Sequence, residues 1–275
     1  MLPNLYVFFG VVGLIFGSFF NVIIFRVPRI LENNLNNKTP KQSILKNISY
    51  PQSHCLSCKK TIRWFNNIPL LSWLYLRGKC KSCGVFISPI YIIVEFITML
   101  CFVFIYAHYG LHLEALGWLL FFSLLIILFF TDLTSFYLPN IFTYPLIGIG
   151  ILFSLFGWTS IDIQSSLIGG VLGFLLFFII NFCYKAWRGI NGFGDADKIL
   201  LAGLGVWLGY KSLYPIIMFS SFLGLGFMLI MFSLGKRYQM ETRLPFGPFL
   251  ISSGLLVYIH LHVYPITFMR FFYEL

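Results

Sequence analysis

Two aspartates beside apolar segments are the side chains of this 275-residue chain that are best suited to catalysis. Asp132 lies at the end of one apolar segment, and Asp197 precedes another. Only 10% of the residues are charged, and an Asp at the centre of a membrane helix costs about 2.5–3.5 kcal/mol even by the lower estimates. Two such carboxylates, once brought together, can share one proton and act as an acid and a base. The pair therefore predicts the chemistry of an aspartic protease working at a membrane.

Four cysteines form a second set with a spacing that suits chemistry. They occur as two C-x2-C pairs, Cys55 with Cys58 and Cys80 with Cys83, separated by 21 residues. Zinc ribbons usually have about 15–20 residues between such pairs, and four thiolates can complete a tetrahedron about zinc. A segment too small for its own core would gain folding free energy from the metal. We expect structural zinc. Redox-active pairs and free thiols are the alternatives, and a reducing compartment disfavours disulfides.

The composition predicts the elements that must position these residues. Hydrophobic residues make up 59% of the chain and aromatic residues 20%, whereas a soluble domain averages about 45–50% apolar residues. A bilayer-spanning helix needs about 20 mostly apolar residues. We expect an all-α polytopic membrane protein with about eight transmembrane helices, or seven if the uncertain sixth and seventh segments are one. The expected spans are residues 4–25, 88–107, 114–131, 140–157, 166–184, 199–213, 215–235 and 247–266.

The distribution of lysine and arginine predicts the orientation. With eight spans, seventeen of the 19 basic residues fall on one side, and only Lys211 and Arg270 fall on the other. The positive-inside rule makes the first side cytosolic and places Asp132 and Asp197 there. Topology alone accounts for the net charge of +10, so no nucleic-acid partner is expected. The predicted organisation is a first transmembrane helix at 1–25, a small cytosolic zinc-binding insert at 26–87, and a membrane aspartic protease domain at 88–275.

Several motifs, in order, resemble those of the type IV prepilin peptidases, the leader peptidases of type IV pili and type II secretion. An N-terminal G-S-F-x-N-V motif at 17–22 is followed by R-V-P at 26–28. The stretch 54–89, with Arg63-Trp64, Asn67-Ile68-Pro69 and Leu71-Ser72-Trp73, is similar to the family's tetracysteine insert. Asp132 with Leu138-Pro139-Asn140, Thr143 and Pro145 is similar to D-x6-P-[DN]-x-L-T-x-P, although Phe142 replaces the leucine. A late P-F-G-P-F motif occupies 245–249.

The second acidic motif departs from the family pattern. The family has G-x-G-x-[GA]-D-x-K followed by L-L-A-x-x-G-x-W-L-G. Counting back ten residues from Trp207 reaches Asp197, but Lys198 then follows the acid directly. The shorter pattern G-x-G-D instead fits Asp195. The downstream register favours Asp197 as the second catalytic acid, with Asp195 as the alternative.

The resemblance also implies an activity and its partners. It implies a membrane aspartic endopeptidase of the bacterial inner membrane, with insert and active site on the cytosolic side. The substrates would be prepilins and pseudopilins, cut after a Gly that separates a basic leader from an apolar helix. It further implies N-methylation of the new N-terminus with S-adenosylmethionine, which we place at the insert and its junction with the membrane domain. A Glu at position 95 also matches the family, so Glu95 is either a buried paired residue or part of a site.

One competing class is a non-enzymatic, zinc-bearing membrane transporter or assembly factor that uses the acids as a proton relay. Transporter sites usually lie near the bilayer midplane, whereas both acids here adjoin loops on one face. That position favours the protease. Ser18 and Asn21 of the first span either hydrogen-bond between helices or line a pocket, and a structural role is preferred for them.

Overall fold

The computed structural model describes residues 3–35, 54–55, 57–62, 68–189, 192, 194–235 and 245–264, and regular structure in these ranges is helical. Two isolated antiparallel bridges, His54 with Thr61 and Lys79 with Phe86, occur in the described part of the insert. A 3-10 turn spans Tyr210–Ser212. The helices are α1 (Pro3–Leu35), α2 (Leu71–Tyr75), α3 (Ile90–Tyr109), α4 (Leu113–Ser135), α5 (Asn140–Leu155), α6 (Ile163–Arg188), α7 (Asp195–Leu208), α8 (Leu213–Ser233) and α9 (Gly247–His262).

Each predicted span falls on one helix, which confirms an all-α, multi-pass membrane fold. Among the described residues, five helices are long and apolar enough to cross a bilayer, namely α1, α3, α4, α6 and the segment Tyr210–Ser233 that contains α8. Two shorter apolar helices, α5 and α9, have 16 residues each. Some predicted features lie outside the described residues: Arg63-Trp64, Asn67, and the basic residues Lys38, Lys41, Lys46, Lys236, Arg237, Arg243 and Arg270.

The largest departures from the predicted spans are in α1 and α7. Helix α1 continues past Arg26 and Pro28 to Leu35, because charge ends an apolar segment without ending its helical hydrogen bonding. Helix α7, which corresponds to the sixth predicted span, begins at Asp195 and stops at Leu208 rather than spanning 199–213. It stops because Gly209 has a φ of 80°, a conformation that glycine adopts readily and other residues rarely do.

The chain divides into two compact units, Met1–Ile127 and Leu128–Leu275, and the border falls within α4. In the first unit, α1 packs against α3. A Cβ atom at Gly17 would lie 2.7 Å from the Glu95 Cα atom, so the two backbones approach closely there. Asn21 Nδ2 donates to the Tyr91 carbonyl at 2.9 Å, and the rings of Phe25 and Tyr91 stack with centroids 4.5 Å apart.

In the second unit, α7 is the central helix. After its charged first turn it is apolar on all sides. It contacts α5, α6, α8 and α9, which is the pattern of a helix enclosed by others. The Trp207 Nε1–H group donates to the Leu146 carbonyl of α5 at 2.7 Å. Gly169 of α6 faces Gly205 of α7 backbone to backbone, with no room for a Cβ atom on either. Small residues at such a crossing allow close membrane-helix packing, and this packing holds α7 against α6.

Candidate active site and metal site

Asp132 lies in the last turn of α4, in the part of that helix that belongs to the second unit. The residue is only 5% exposed. Its Oδ2 atom accepts a hydrogen bond from the backbone N–H of Gly247 at 3.0 Å. A buried carboxylate needs such donors, because burying an unpaired charge is expensive.

Gly247, the first residue of α9, is required by this contact. A Cβ atom at position 247 would lie 2.7 Å from Asp132 Oδ2 and 3.2 Å from Leu138 Cδ1. The P-F-G-P-F motif contains this glycine, but the sequence assigned it no role. A glycine between prolines at a helix start indicates a constrained backbone, and it does not identify a carboxylate 115 residues away as the partner.

Asp197 lies in the first turn of α7, where the helix dipole favours a carboxylate. Its Oδ2 atom accepts a hydrogen bond from the Gly194 backbone N–H at 3.2 Å. The preceding loop is anchored to α6, since the Gly192 N–H donates to Asn181 Oδ1 at 2.8 Å. Gly192 and Gly194, the described residues just before α7, are thus bonded to side chains of α6 and α7 respectively.

Asp195 has a different environment. Its Oδ1 atom lies 2.6 Å from the Nζ atom of Lys198. The side chain of Asp195 is 85% exposed, whereas that of Lys198 is 9% exposed. Asp195 therefore serves as the counter-ion of a nearly buried lysine and directs its carboxylate largely to solvent.

Asp132 and Asp197 interact electrostatically, so the fold brings these two acids of the second unit together. Neighbouring like charges disfavour double ionisation, and interacting acids titrate as a pair. One protonated and one ionised carboxyl group is the arrangement that supplies a general acid and a general base.

The four cysteines of the insert converge. The Sγ atoms of Cys55, Cys58, Cys80 and Cys83 all lie within 4.8 Å of one another. The Sγ atoms of Cys55 and Cys83 are 3.8 Å apart, and a tetrahedral zinc site with Zn–S bonds near 2.3 Å has sulfur atoms about 3.8 Å apart. The cluster is therefore compatible with one zinc ion, which would link the two turns.

Both cysteine turns have the same backbone pattern. The N–H of the first cysteine donates to the carbonyl five residues later, and the N–H four residues later donates back to the cysteine carbonyl. These distances are 3.0 and 2.9 Å in the turn of Cys55, and both are 2.9 Å in that of Cys80. The fifth residue of each turn has a positive φ, 55° at Lys59 and 71° at Gly84. The insert therefore contains two copies of one turn.

Each turn also favours the thiolate form of its first cysteine. Backbone N–H groups of Cys58 and Ser57 lower the pKa of the Cys55 thiol to about 6. The corresponding N–H groups of the second turn lower the pKa of Cys80. Hydrogen bonds to the charged form have this effect, and the thiolate is the form that ligates a metal.

Glu95 is a second buried acid that the sequence analysis considered as a candidate. It is 8% exposed, and its Oε2 atom accepts a hydrogen bond from the Leu70 backbone N–H at 2.8 Å. Ser18 and Asn21 also hydrogen-bond to this carboxylate. Glu95 and the two polar residues of the first span, Ser18 and Asn21, thus form one cluster in the first unit. The sequence analysis did not connect Glu95 with the other two.

The fold and these clusters define a class, a multi-pass membrane protein with paired acids and a tetracysteine insert. Two family models match the chain: the bacterial peptidase A24 N-terminal domain over residues 11–109, and the type IV leader peptidase family over residues 119–229. The chain therefore belongs to the type IV leader peptidase family, as the motifs predicted.

Relatives are similar over nearly their full length. The prepilin leader peptidase/N-methyltransferase of Dichelobacter nodosus is 38% identical over 268 residues, 92% of this chain and 91% of the relative. The protein of that name from Neisseria gonorrhoeae is 37% identical over 258 residues, 90% and 88% of the two chains. The one from Pseudomonas aeruginosa is 34% identical over 252 residues, 88% and 86%. No solved structure matches the chain.

Proposed function

We propose that this protein is a prepilin leader peptidase that also methylates the new N-terminus of its product. Membership of the type IV leader peptidase family and the names of relatives that cover about nine-tenths of the chain support this activity. The charge–charge interaction between Asp132 and Asp197 is the structural observation that supports the peptidase chemistry. The alternative of a non-enzymatic transporter or assembly factor has no such support.

In the proposed mechanism, Asp132 and Asp197 act as one unit. The ionised carboxylate takes a proton from a water molecule, and the resulting hydroxide attacks the scissile carbonyl. The protonated carboxyl group donates to the carbonyl oxygen or to the leaving amine. The Gly247 N–H holds Asp132 in position, and the Gly194 N–H does the same for Asp197.

We assign the insert and both acids to the cytosolic face of the bacterial inner membrane. Asp132 is three residues from the end of α4, and Asp197 is in the first turn of α7, so both lie at helix ends rather than at mid-membrane. The substrates are prepilins and pseudopilins. Their basic leader would lie in the cytosol and their apolar helix in the bilayer, which presents the Gly-containing junction to the acids.

The proposal also includes two groups, a zinc ion and S-adenosylmethionine. Both are assigned to the insert and its surroundings. Cys55, Cys58, Cys80 and Cys83 would hold a structural zinc ion, since their sulfur atoms all lie within 4.8 Å of one another. S-adenosylmethionine supplies the methyl group, at the insert and its junction with the membrane helices.

The decisive experiment is cleavage of a purified prepilin in detergent by the wild type and by Asp132→Asn. The wild type should release the leader, and the variant should be at least about a hundredfold slower, the low end of general acid–base contributions. A wild type that leaves the prepilin intact would reject the peptidase assignment. Equal cleavage by both proteins would remove Asp132 from the mechanism.

A further inference from the structure

The Glu95 cluster (Ser18, Asn21, Glu95 and the backbone of Leu70) is not used by the peptidase mechanism. It lies within the first unit, where α1 and α3 meet the segment that leads into α2. The Glu95 carboxylate accepts hydrogen bonds from the Leu70 N–H, Ser18 and Asn21. All three donors are neutral, so they solvate the carboxylate without balancing its charge.

One hydrogen-bond acceptor in the cluster, Asn21 Oδ1, has no donor among the described residues. The Asn21 side chain is 97% buried, since the residue is only 3% exposed. Its Nδ2 group donates to the Tyr91 carbonyl, but no donor among the described residues reaches its Oδ1 atom. A buried acceptor without a partner is uncommon in native proteins and calls for an explanation.

The backbone at Leu70 supports a dedicated site. Leu70 has φ of 58° and ψ of −51°, an unfavourable conformation for a residue with a Cβ atom. Such strain persists only where the surroundings enforce it, and it occurs often at binding sites. Here the strained residue delivers its N–H to Glu95.

The chemistry of the cluster selects its ligand. A carboxylate with no ion-pair partner among the described residues, in one cluster with an amide oxygen that has no donor there, fits a group that is positively charged and donates several hydrogen bonds. A primary ammonium group has both properties. A metal ion fits less well, because three of the protein groups direct hydrogen atoms, not lone pairs, toward the carboxylate.

We propose that the Glu95 cluster binds a primary ammonium group during methyl transfer. The inference builds on the proposed function, which offers two sources of such a group. One is the new N-terminal amine of the cleaved pilin, and the other is the amino-acid end of S-adenosylmethionine. In either case Glu95 and Asn21 Oδ1 accept hydrogen bonds from the ammonium and orient the molecule that carries it.

Direct binding to the full-length protein in detergent tests this site without turnover. One arm uses an apolar peptide that begins with phenylalanine, with its N-terminus free or acetylated. The other arm uses S-adenosylhomocysteine and its deaminated analogue. In at least one arm, the wild type should bind the compound with the free amine at least about tenfold more tightly than its acetylated or deaminated counterpart. A difference of about tenfold corresponds to the loss of one charge-assisted hydrogen bond.

Glu95→Gln should abolish this discrimination, because the amide keeps the shape but loses the charge. Glu32→Gln is the matched control, since Glu32 is an exposed acid on α1, and it should keep the wild-type preference. If Glu95→Gln loses the preference for the free amine in the peptide arm, the site binds the methyl acceptor. If it loses that preference in the S-adenosylhomocysteine arm, the site binds the methyl donor. A preference that survives Glu95→Gln in both arms, or a wild type without one, overturns the proposal.

Cross-linking of the wild type provides a second measurement in case Glu95→Gln does not fold. Each amine probe carries a photoreactive group next to its nitrogen. Adducts on α1 or α3 near Ser18, Asn21 or Glu95 support the site, and adducts confined to residues after Leu128 overturn it. The proposed function fails separately, since its failure is a wild type that does not cleave prepilin.

Discussion

Gly247 allows the surroundings of Asp132 to be tested without changing an acid. In Gly247→Ala the new Cβ atom would lie 2.7 Å from Asp132 Oδ2, so the carboxylate must move and its hydrogen bond to the backbone must weaken. A displacement of about 1 Å at a catalytic group can cost about a hundredfold in rate. We expect a loss of that order in the rate of prepilin cleavage.

Gly226→Ala is the matched control for this change. An added Cβ atom at Gly226, in α8, meets nothing within 4 Å, so cleavage should be unchanged. Similar cleavage rates in the two alanine variants would show that the contact between Gly247 and Asp132 does not matter to catalysis.

The acids themselves can be ranked by single substitutions. Asp132→Asn and Asp197→Asn should each lower cleavage at least about a hundredfold, because an amide cannot exchange a proton in these roles. The double variant should be little worse than either single variant, since the two residues act as a unit. Asp195→Asn should keep most of the activity, because its carboxylate pairs with Lys198 and is largely exposed.

The opposite ranking of the Asp195→Asn and Asp197→Asn variants would be equally informative. An inactive Asp195→Asn protein together with an active Asp197→Asn protein would make Asp195 the second acid. Normal cleavage by all three single variants would reject the aspartic mechanism. The assay is release of the leader from purified prepilin, with equal amounts of folded enzyme.

The sequence selected candidate acids but not their hydrogen-bond partners. Asp132 stood out through its motif, and the count from Trp207 favoured Asp197 over Asp195, a choice that stays a prediction. The donor to Asp132 is a backbone group 115 residues away, and a backbone N–H has no signature in the sequence. The sequence also did not predict that Ser18, Asn21 and Glu95 lie close together, because their proximity depends on how α1 and α3 are aligned.

At the scale of elements, hydropathy located the helices because a membrane requires long apolar segments. It did not locate their ends. Helix α1 passes its first arginine because backbone hydrogen bonds continue beyond the apolar segment. Helix α7 stops at Gly209 because of the backbone conformation there, which a hydropathy average does not register.

The insert provides a prediction about an element. Purified protein should contain about one zinc ion per chain, and replacing Cys55 and Cys58 together by serine should remove it. Because metal binding supplies the folding free energy of such a segment, the insert should then be cut rapidly by proteases. Metal analysis and limited proteolysis provide the two readouts.

Cys183→Ser is the control for the cysteine variants, since Cys183 lies on α6 outside the four-cysteine cluster. It should retain the zinc ion and the protease resistance. A metal-free wild-type protein whose insert nevertheless resists proteolysis would contradict structural zinc.

At the scale of the whole molecule, the two sets of residues fall in different units. The four cysteines and the Glu95 cluster belong to Met1–Ile127, and both acids belong to Leu128–Leu275. The two family models divide the chain similarly, at residues 11–109 and 119–229. Peptide cleavage needs an acid and a base, whereas methyl transfer needs a bound amine and a methyl donor, so we expect neither reaction to require the other's residues.

Methyl transfer should therefore be separable from cleavage. Asp132→Asn should fail to cut prepilin but should still transfer a labelled methyl group from S-adenosylmethionine to pilin that has already been cleaved. The variant with serine at positions 55 and 58 should show the opposite bias, losing more methylation than cleavage, because the insert adjoins the Glu95 cluster through Leu70. Supplying pre-cleaved pilin is essential, since an uncut substrate has no new amine to methylate. If Asp132→Asn keeps its zinc and its thermal stability yet loses both activities, the two reactions share a site and the division by units is wrong.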